Sequence, residues 1–136
     1  MFKREENIIV AKFTKGEIME NLENLMNELK IKSAFILNGI GQLENIVIGY
    51  FNGKDYVRRK IEEPAEMVSL QGNIGMNENK YIVHAHVALG LKNHSIIGGH
   101  LIRGEVKIVN EIFLYELKEI EIKRIRKGNL MEMVIS

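Results

Sequence analysis

The chain has one segment, near its N-terminus, in which apolar residues recur at the spacing of an α-helix. Ile18, Leu22, Leu25 and Leu29 fall on one face of such a helix, and glutamates and asparagines occupy the other face. The preceding Thr14-Lys15-Gly16-Glu17 has the spacing of a capping box, so we expect Thr14 to cap the helix. The sequence therefore predicts a single amphipathic helix with one face in a core.

The rest of the chain consists of short, β-branched apolar runs separated by polar turns, which is typical of strands. Asn52-Gly53 and Asn77-Glu78-Asn79 each lie between two such runs and predict hairpins. The runs follow one another too closely for helical crossovers, which favours antiparallel pairing. We predict an α+β fold, a large and mainly antiparallel β-sheet with one principal α-helix packed on it, as a single domain over residues 1–136. The predicted strands are residues 7–13, 33–37, 46–51, 56–61, 67–75, 81–89, 95–101, 105–115, 120–126 and 130–135.

Two glycine-containing segments predict irregular strands. Gly39-Ile40-Gly41 suggests a β-bulge, and Gly98-Gly99 would let one strand bend or approach another backbone closely. Both segments lie beside apolar runs, so we expect the sheet to be bent at these points.

Composition excludes several functional classes. With 46% apolar residues, 136 residues can bury a core without disulfide or metal staples, and the absence of cysteine excludes thiolate zinc sites and cysteine nucleophiles. Lys plus Arg at 19 against Asp plus Glu at 18 gives 19 − 18 = +1, so no large excess of positive charge points to a polyanion partner. No apolar run approaches the ~20 residues of a membrane span, and the N-terminus does not resemble a signal peptide. We expect a cytoplasmic protein with no membrane contact.

Three histidines form the most informative pattern in the chain. His84 and His86 stand two residues apart on a predicted strand, so their side chains should share a face. His100 follows the Gly98-Gly99 pair and is expected to join them. Three neutral imidazoles suit zinc or another divalent transition metal, such as nickel, cobalt or iron. The alternative is that these are half-buried strand histidines with local hydrogen bonds.

Other charged residues are candidates for supporting roles. Glu66 and Glu111 lie on apolar strands and are candidate acids that would ligate a metal or orient an imidazole, although both also fit a solvent-facing position. Arg124 and Arg126 alternate with Ile125 and would form a small positive stripe that contacts a polyanion such as DNA. None of the serines lies in a Gly-x-Ser-x-Gly elbow, which argues against a serine hydrolase.

The order of motifs resembles that of the PPC domain, the plant and prokaryote conserved domain, from about residue 7 to residue 117. The similarity is most specific where His-x-His is followed by Gly-Gly-His-Leu. The motifs, in chain order, are Gly16-Glu17-Ile18, Ser33-Ala34-Phe35, Gly39-Ile40-Gly41, Gly49-Tyr50-Phe51, Glu66-Met67-Val68-Ser69-Leu70-Gln71-Gly72-Asn73-Ile74, His84-Ala85-His86, Gly98-Gly99-His100-Leu101 and Glu111-Ile112.

This resemblance implies a stand-alone prokaryotic member that assembles as a homotrimer and holds a metal at His84, His86 and His100. In plant members the domain follows AT-hook segments built on Arg-Gly-Arg-Pro, and this sequence contains no such segment. Any DNA binding is therefore expected to be weak and non-specific.

Three functional hypotheses follow from the sequence and the resemblance. We favour a homotrimeric binding module with a divalent-metal or small-ligand site, rather than an enzyme. The first alternative is a metal-dependent hydrolase that uses the three-histidine site, with Glu66 or Glu111 moving the proton. The second alternative is a weak, non-specific DNA-binding protein.

Overall fold

The computed structural model describes residues 1–136 and contains nine β-strands and one α-helix. The strands lie in one sheet in which all pairings are antiparallel except that of β5 with β8, which confirms the predicted α+β class. The elements, in chain order, are β1 (Phe2–Glu5), β2 (Ile8–Phe13), α1 (Ile18–Leu29), β3 (Ala34–Phe51), β4 (Tyr56–Ile61), β5 (Ala65–Asn77), β6 (Lys80–Gly90), β7 (Ile96–Glu116), β8 (Ile122–Lys127) and β9 (Leu130–Ile135).

The helix α1 begins three residues later than the capping box suggested. Glu17 is its N-cap, and the Glu17 carboxylate accepts a hydrogen bond from the backbone N–H of Glu20 at 3.0 Å. The prediction that Thr14 caps the helix is therefore wrong. The same carboxylate also accepts from the N–H of Gly104 at 2.9 Å, so one side chain both starts the helix and ties it to β7.

The two longest strands, β3 and β7, each span two of the strands that the sequence predicts. They remain continuous because bulges bend them without ending them. One register shift lies at Gly41 and Gln42, where Gly41 has φ of 127°. A Cβ at Gly41 would lie 2.1 Å from the carbonyl oxygen of Val109, so only glycine allows the two strands to meet there.

The first strand, β1, was not predicted from the sequence. Three of its four residues are the charged Lys3, Arg4 and Glu5, which carry no apolar pattern. It forms because its backbone pairs with β2 at the edge of the sheet.

The core lies between α1 and one face of the sheet. Ile18, Leu22, Leu25 and Met26 of the helix are buried in one cluster with inward residues of the strands, such as Ala85 and Leu101. Residues that alternate with these inward positions therefore point to the opposite face, which α1 does not cover. His84, His86 and His100 belong to that second set.

The β8–β9 hairpin packs on the end of β5. Ile122 contacts Gly75, where a Cβ would come within 2.6 Å of the Ile122 side chain and backbone. The N–H of Ile122 also donates to the buried Ser33 hydroxyl at 2.9 Å. The hairpin is thereby fixed beside the histidine-bearing strand β6, which pairs with β5 along its whole length.

Candidate metal centre

The structure brings His84, His86 and His100 together. His86 pairs with His100 across β6 and β7, and His84 stands beside His86 because the residue between them, Ala85, faces the core. The ring centroids are 5.2 Å apart for His84 and His86, 5.2 Å for His84 and His100, and 5.7 Å for His86 and His100. One nitrogen of each ring lies within 4.8 Å of one nitrogen of the other two.

Small residues in β7 allow this approach. A Cβ at Gly98 would lie 2.6 Å from the carbonyl oxygen of Val87, and one at Gly99 would lie 2.8 Å from that of Gly49. Side chains at these two positions would therefore push β7 away from β6 and β3. The close backbone approach that the sequence predicted is thus present, and it positions His100 within the cluster.

The environment of His84 and His100 keeps these two imidazoles neutral. Burial, followed by the charges of Arg124, His100 and His86, lowers the pKa of His84 from 6.5 to about 4. Burial and the neighbouring His86 also lower the pKa of His100. A metal requires the nitrogen lone pair of a neutral imidazole, so near pH 7 these two rings have the protonation state that metal binding needs.

The donor set fits a divalent transition metal. Nδ1 of His100 is buried and has no hydrogen-bond partner. An unpartnered buried nitrogen is unusual in a folded protein, and a bound ion is one of the ordinary explanations. Three imidazole nitrogens also leave room in a metal's coordination sphere for water or another ligand.

Arg124 lies directly against this cluster. Its side chain is buried, with an exposure of 6%, and Nη2 lies 3.2 Å from Nδ1 of His84. The guanidinium also donates to the side-chain oxygen of Asn73 and, at 3.2 Å, to the carbonyl of Met131. Its Nε–H has no partner.

The predicted positive stripe does not form, because Arg126 is exposed whereas Arg124 is buried. Alternation alone places the two arginines on one face of β8. However, only the part of that face near Ile122 packs on the sheet, and Arg126 lies beyond it, next to the hairpin turn. No local pattern in the sequence distinguishes Arg124 from a surface arginine, because its burial, like that of Ile122, depends on the docking of the hairpin.

Within one chain, the structure does not bring Glu66 or Glu111 to the histidines. Glu66 pairs with Gly90 on β6, five residues along β5 from the partner of His86, which is about 16 Å at the rise of a strand. Glu111 pairs with Lys12 and Ile40, eleven residues along β7 from His100. Neither carboxylate is a ligand or hydrogen-bond partner of the cluster in this chain.

A cavity of about 160 Å³ adjoins the histidines. Two hairpins border it, and they are joined where Nδ2 of Asn129 in the β8–β9 turn donates to Oδ1 of Asp55 in the β3–β4 loop at 2.7 Å. Sequence reasoning missed the roles of Tyr56 and Asn129, since only the docking of the hairpins places them here. The cavity is lined by Tyr56, Ile82, Val83, His84, His100, Arg124, Asn129, Leu130 and Met131.

The fold and the cluster define a class: a one-helix, antiparallel-sheet protein with a three-histidine centre on the sheet face away from its helix. Residues 2–118 match the Plants and Prokaryotes Conserved (PCC) domain, and the chain belongs to this family. No curated protein matches the sequence. The chain's one helix, of 12 residues, falls short of the length and hydrophobicity that a membrane crossing requires.

Solved structures of similar proteins share the fold. A plant- and prokaryote-conserved protein of Pyrococcus horikoshii is 36% identical, with a TM-score of 0.86 over 98% of this chain and 94% of its own. A metal-containing protein of Archaeoglobus fulgidus is 29% identical, with a TM-score of 0.84 over 98% of each chain. A protein of Bacteroides thetaiotaomicron described as a "putative dna binding protein" is 26% identical, with a TM-score of 0.86 over 100% of this chain and 96% of its own.

Proposed function

We propose that residues 1–136 form one PCC-type binding module that assembles as a homotrimer and holds a divalent transition metal at His84, His86 and His100. The observation that carries this proposal is the approach of three imidazole nitrogens to within 4.8 Å of one another. The similarity to a metal-containing protein of Archaeoglobus fulgidus supports it further.

The chemistry of the donors narrows the choice of metal. Imidazole nitrogen suits zinc, nickel, cobalt and iron, whereas magnesium and calcium prefer oxygen ligands. Because no carboxylate or thiol joins the three rings, zinc is the first ion to test.

Self-association is supported by the sheet face that α1 leaves uncovered. Ile8, Val10, Ile40 and Phe113 are each about two-fifths exposed on neighbouring strands of that face. Several large apolar side chains exposed on one sheet face are typical of a protein–protein interface. We assign this face to contact with other copies of the same chain, because a homotrimer requires an interface between subunits.

A binding role accounts for the site better than hydrolysis. A bound metal of this type lowers the pKa of a water molecule, and a hydrolase also needs a group that moves the proton. Glu66 and Glu111, the candidates for that task, lie far from the histidines within one chain. Hydrolysis therefore remains the alternative, to be tested by assaying the metal-loaded protein against ester and phosphoester substrates.

The deciding experiment is to measure the metal content of untagged protein, purified without any chelator, by inductively coupled plasma mass spectrometry. We expect near-stoichiometric metal in the wild type and loss of that metal in His84→Ala/His86→Ala. The matched control is His94→Asn, which changes an exposed histidine in the loop after β6. Absence of metal from the wild type, even after incubation with zinc, nickel and iron, would contradict the proposal.

DNA binding is a second candidate, favoured by the description of the Bacteroides neighbour. Arg58, Arg59 and Lys60, which are exposed in succession on β4, are suited to phosphate contact. Binding through them would be independent of base sequence and would weaken steeply with salt. Equal affinity of the wild type and Arg58→Glu/Arg59→Glu for two unrelated duplexes at low salt would exclude DNA contact through these residues, and no measurable binding by the wild type would exclude the role itself.

A further inference from the structure

The guanidinium of Arg124 is buried without a counter-charge. None of the chain's side-chain ion pairs includes it, although five other pairs form on the surface. Its hydrogen bonds go to neutral groups, and Nε–H has no acceptor. A buried charge is costly unless it is paired, so this arginine is suited to an anion that the chain itself does not provide.

The contact between Arg124 and His84 also conflicts with metal binding. A guanidinium only donates hydrogen bonds, so Nδ1 of His84 accepts here and the proton of the neutral ring is on Nε2. A metal bound through Nδ1 would need the lone pair that Arg124 uses. A metal bound through Nε2 would leave the proton on Nδ1, where it would face a second donor. Either mode requires Arg124 to leave His84.

The adjoining cavity is suited to a small anion. Its lining contains His84, His100, Arg124 and Asn129 but no carboxylate. Its volume of about 160 Å³ is below the roughly 300–1,000 Å³ of typical organic-ligand pockets. A single carboxylate or phosphate group therefore fits the charge and the size better than a nucleotide does.

We propose that Arg124 blocks His84 in the metal-free protein, and that a divalent metal and a small oxyanion, a carboxylate or phosphate group, bind this site together, with the anion on Arg124. This inference rests on the proposed metal site. Coordination of a metal by a nitrogen of His84 would break the contact between His84 and Arg124. The anion bound to Arg124 would then neutralise the guanidinium charge, which would otherwise repel the metal.

Coupling of this kind is reciprocal and can be measured. If the anion raises the affinity for the metal by some factor, the metal must raise the affinity for the anion by the same factor. We expect zinc to bind the wild type about 5-fold more tightly or better in acetate or sulfate than in perchlorate at equal ionic strength. Acetate stands for a carboxylate, and sulfate stands for the tetrahedral phosphate group.

The measurement is isothermal titration calorimetry with zinc, together with the visible absorption of the cobalt-loaded protein as a second readout. Arg124→Met keeps an apolar stem and removes the guanidinium. We expect this variant to bind zinc more tightly than the wild type in perchlorate, and to show no gain from acetate or sulfate. The matched control is Arg126→Met, which removes the same charge from an exposed position of β8 and should behave as the wild type does.

A second variant covers the case in which Arg124→Met does not fold. Arg124→Lys keeps the positive charge but lacks the planar fork that holds an oxyanion, so its gain from acetate or sulfate should fall below that of the wild type. An undiminished gain in either Arg124 variant would overturn the assignment of the anion to Arg124.

The possible failures are distinguishable. If the wild type takes up no zinc or cobalt in any buffer, the metal site itself is wrong and the coupling falls with it. If the metal binds with the same affinity in perchlorate, acetate and sulfate, the metal site stands and only the coupling is overturned. A gain from acetate alone or from sulfate alone supports the coupling and identifies the anion class.

Discussion

Nη2 of Arg124 lies 3.2 Å from Nδ1 of His84, and this contact joins strand β8 to strand β6. The same guanidinium donates to Asn73 of β5, which pairs with His84 in the sheet. One side chain therefore holds three strands together at the histidine cluster. The arrangement orients the imidazole of His84 and fixes which of its nitrogens carries the proton.

The stability of the metal-free protein should depend on pH through His84. The groups that face this ring are Arg124, His86 and His100, and with burial they lower its pKa from 6.5 to about 4. Between these values the unfolded chain binds more protons than the folded chain, so the free energy of unfolding rises with pH. This contribution is complete above about pH 6.5 and is lost as the pH falls towards 4. For a half-buried group we expect about 1 to 2 kcal/mol.

Urea unfolding of the chelator-treated protein at pH 7.5, 6, 5 and 4.5 measures this dependence. His84→Asn, whose amide keeps an acceptor for Arg124, should show a shallower pH dependence than the wild type. His94→Asn, the exposed control, should retain the full dependence. The same slope in His84→Asn and in the wild type would show that His84 is not the group responsible.

Replacement of Gly41 should cost far more stability than replacement of Gly53. Both glycines have positive φ, 127° and 96°, so alanine is strained at either position. A Cβ at Gly41 also meets the carbonyl of Val109 at 2.1 Å, whereas nothing lies within 4 Å of one at Gly53. We expect about 1 kcal/mol for Gly53→Ala and more than about 3 kcal/mol for Gly41→Ala, measured by urea unfolding. Equal losses would show that the backbone at Gly41 relaxes.

The start of the helix should depend on Glu17 and not on Thr14. Glu17→Ala removes the acceptor of both the Glu20 and the Gly104 backbone N–H groups, and should lower the free energy of unfolding by about 1 to 2 kcal/mol. Thr14→Ala changes an exposed hydroxyl and should stay within about 0.5 kcal/mol of the wild type. The reverse order of these two losses would restore Thr14 as the cap.

The oligomeric state should depend on Phe113. Phe113→Glu places a charge in the exposed apolar face that we assign to other copies of the chain, and burial of an unpaired charge opposes association. We expect light scattering after size-exclusion chromatography to give a trimer mass for the wild type and a monomer mass for this variant. Val57→Glu, on the exposed side of β4, should leave the mass unchanged. A monomeric wild type would contradict the assembly directly.

Local patterns predicted the fold class and the proximity of the histidines. The spacing of Ile18, Leu22 and Leu25 determines the helix, and the two-residue repeat of strands places His84 and His86 on one face. His100 could be expected beside them because Gly98-Gly99 permits close approach. These features depend on residues that are close in sequence, or on glycines whose lack of a side chain allows two backbones to approach closely.

The missed features depend on contacts between distant segments. Arg124 and Arg126 alternate with Ile125, as polar residues do on an exposed strand. Arg124 is nevertheless buried, because Ile122 docks on Gly75 and brings β8 onto the sheet. Glu66 lies on a strand adjacent to the histidines, but the pairing register places it five residues from the partner of His86. Register and hairpin docking are tertiary properties that no single strand encodes.

The match to the family ends at residue 118, whereas β8 and β9 span residues 122–135. All three histidines therefore lie within the matched residues, and Arg124 lies beyond them, in a hairpin that the solved relatives also cover. If Arg124 governs access to His84 as proposed, the ligands of the metal and the residue that controls their availability belong to different segments of the chain. Exchange of the C-terminal hairpin between relatives would alter which anions the centre responds to and leave its metal ligands intact.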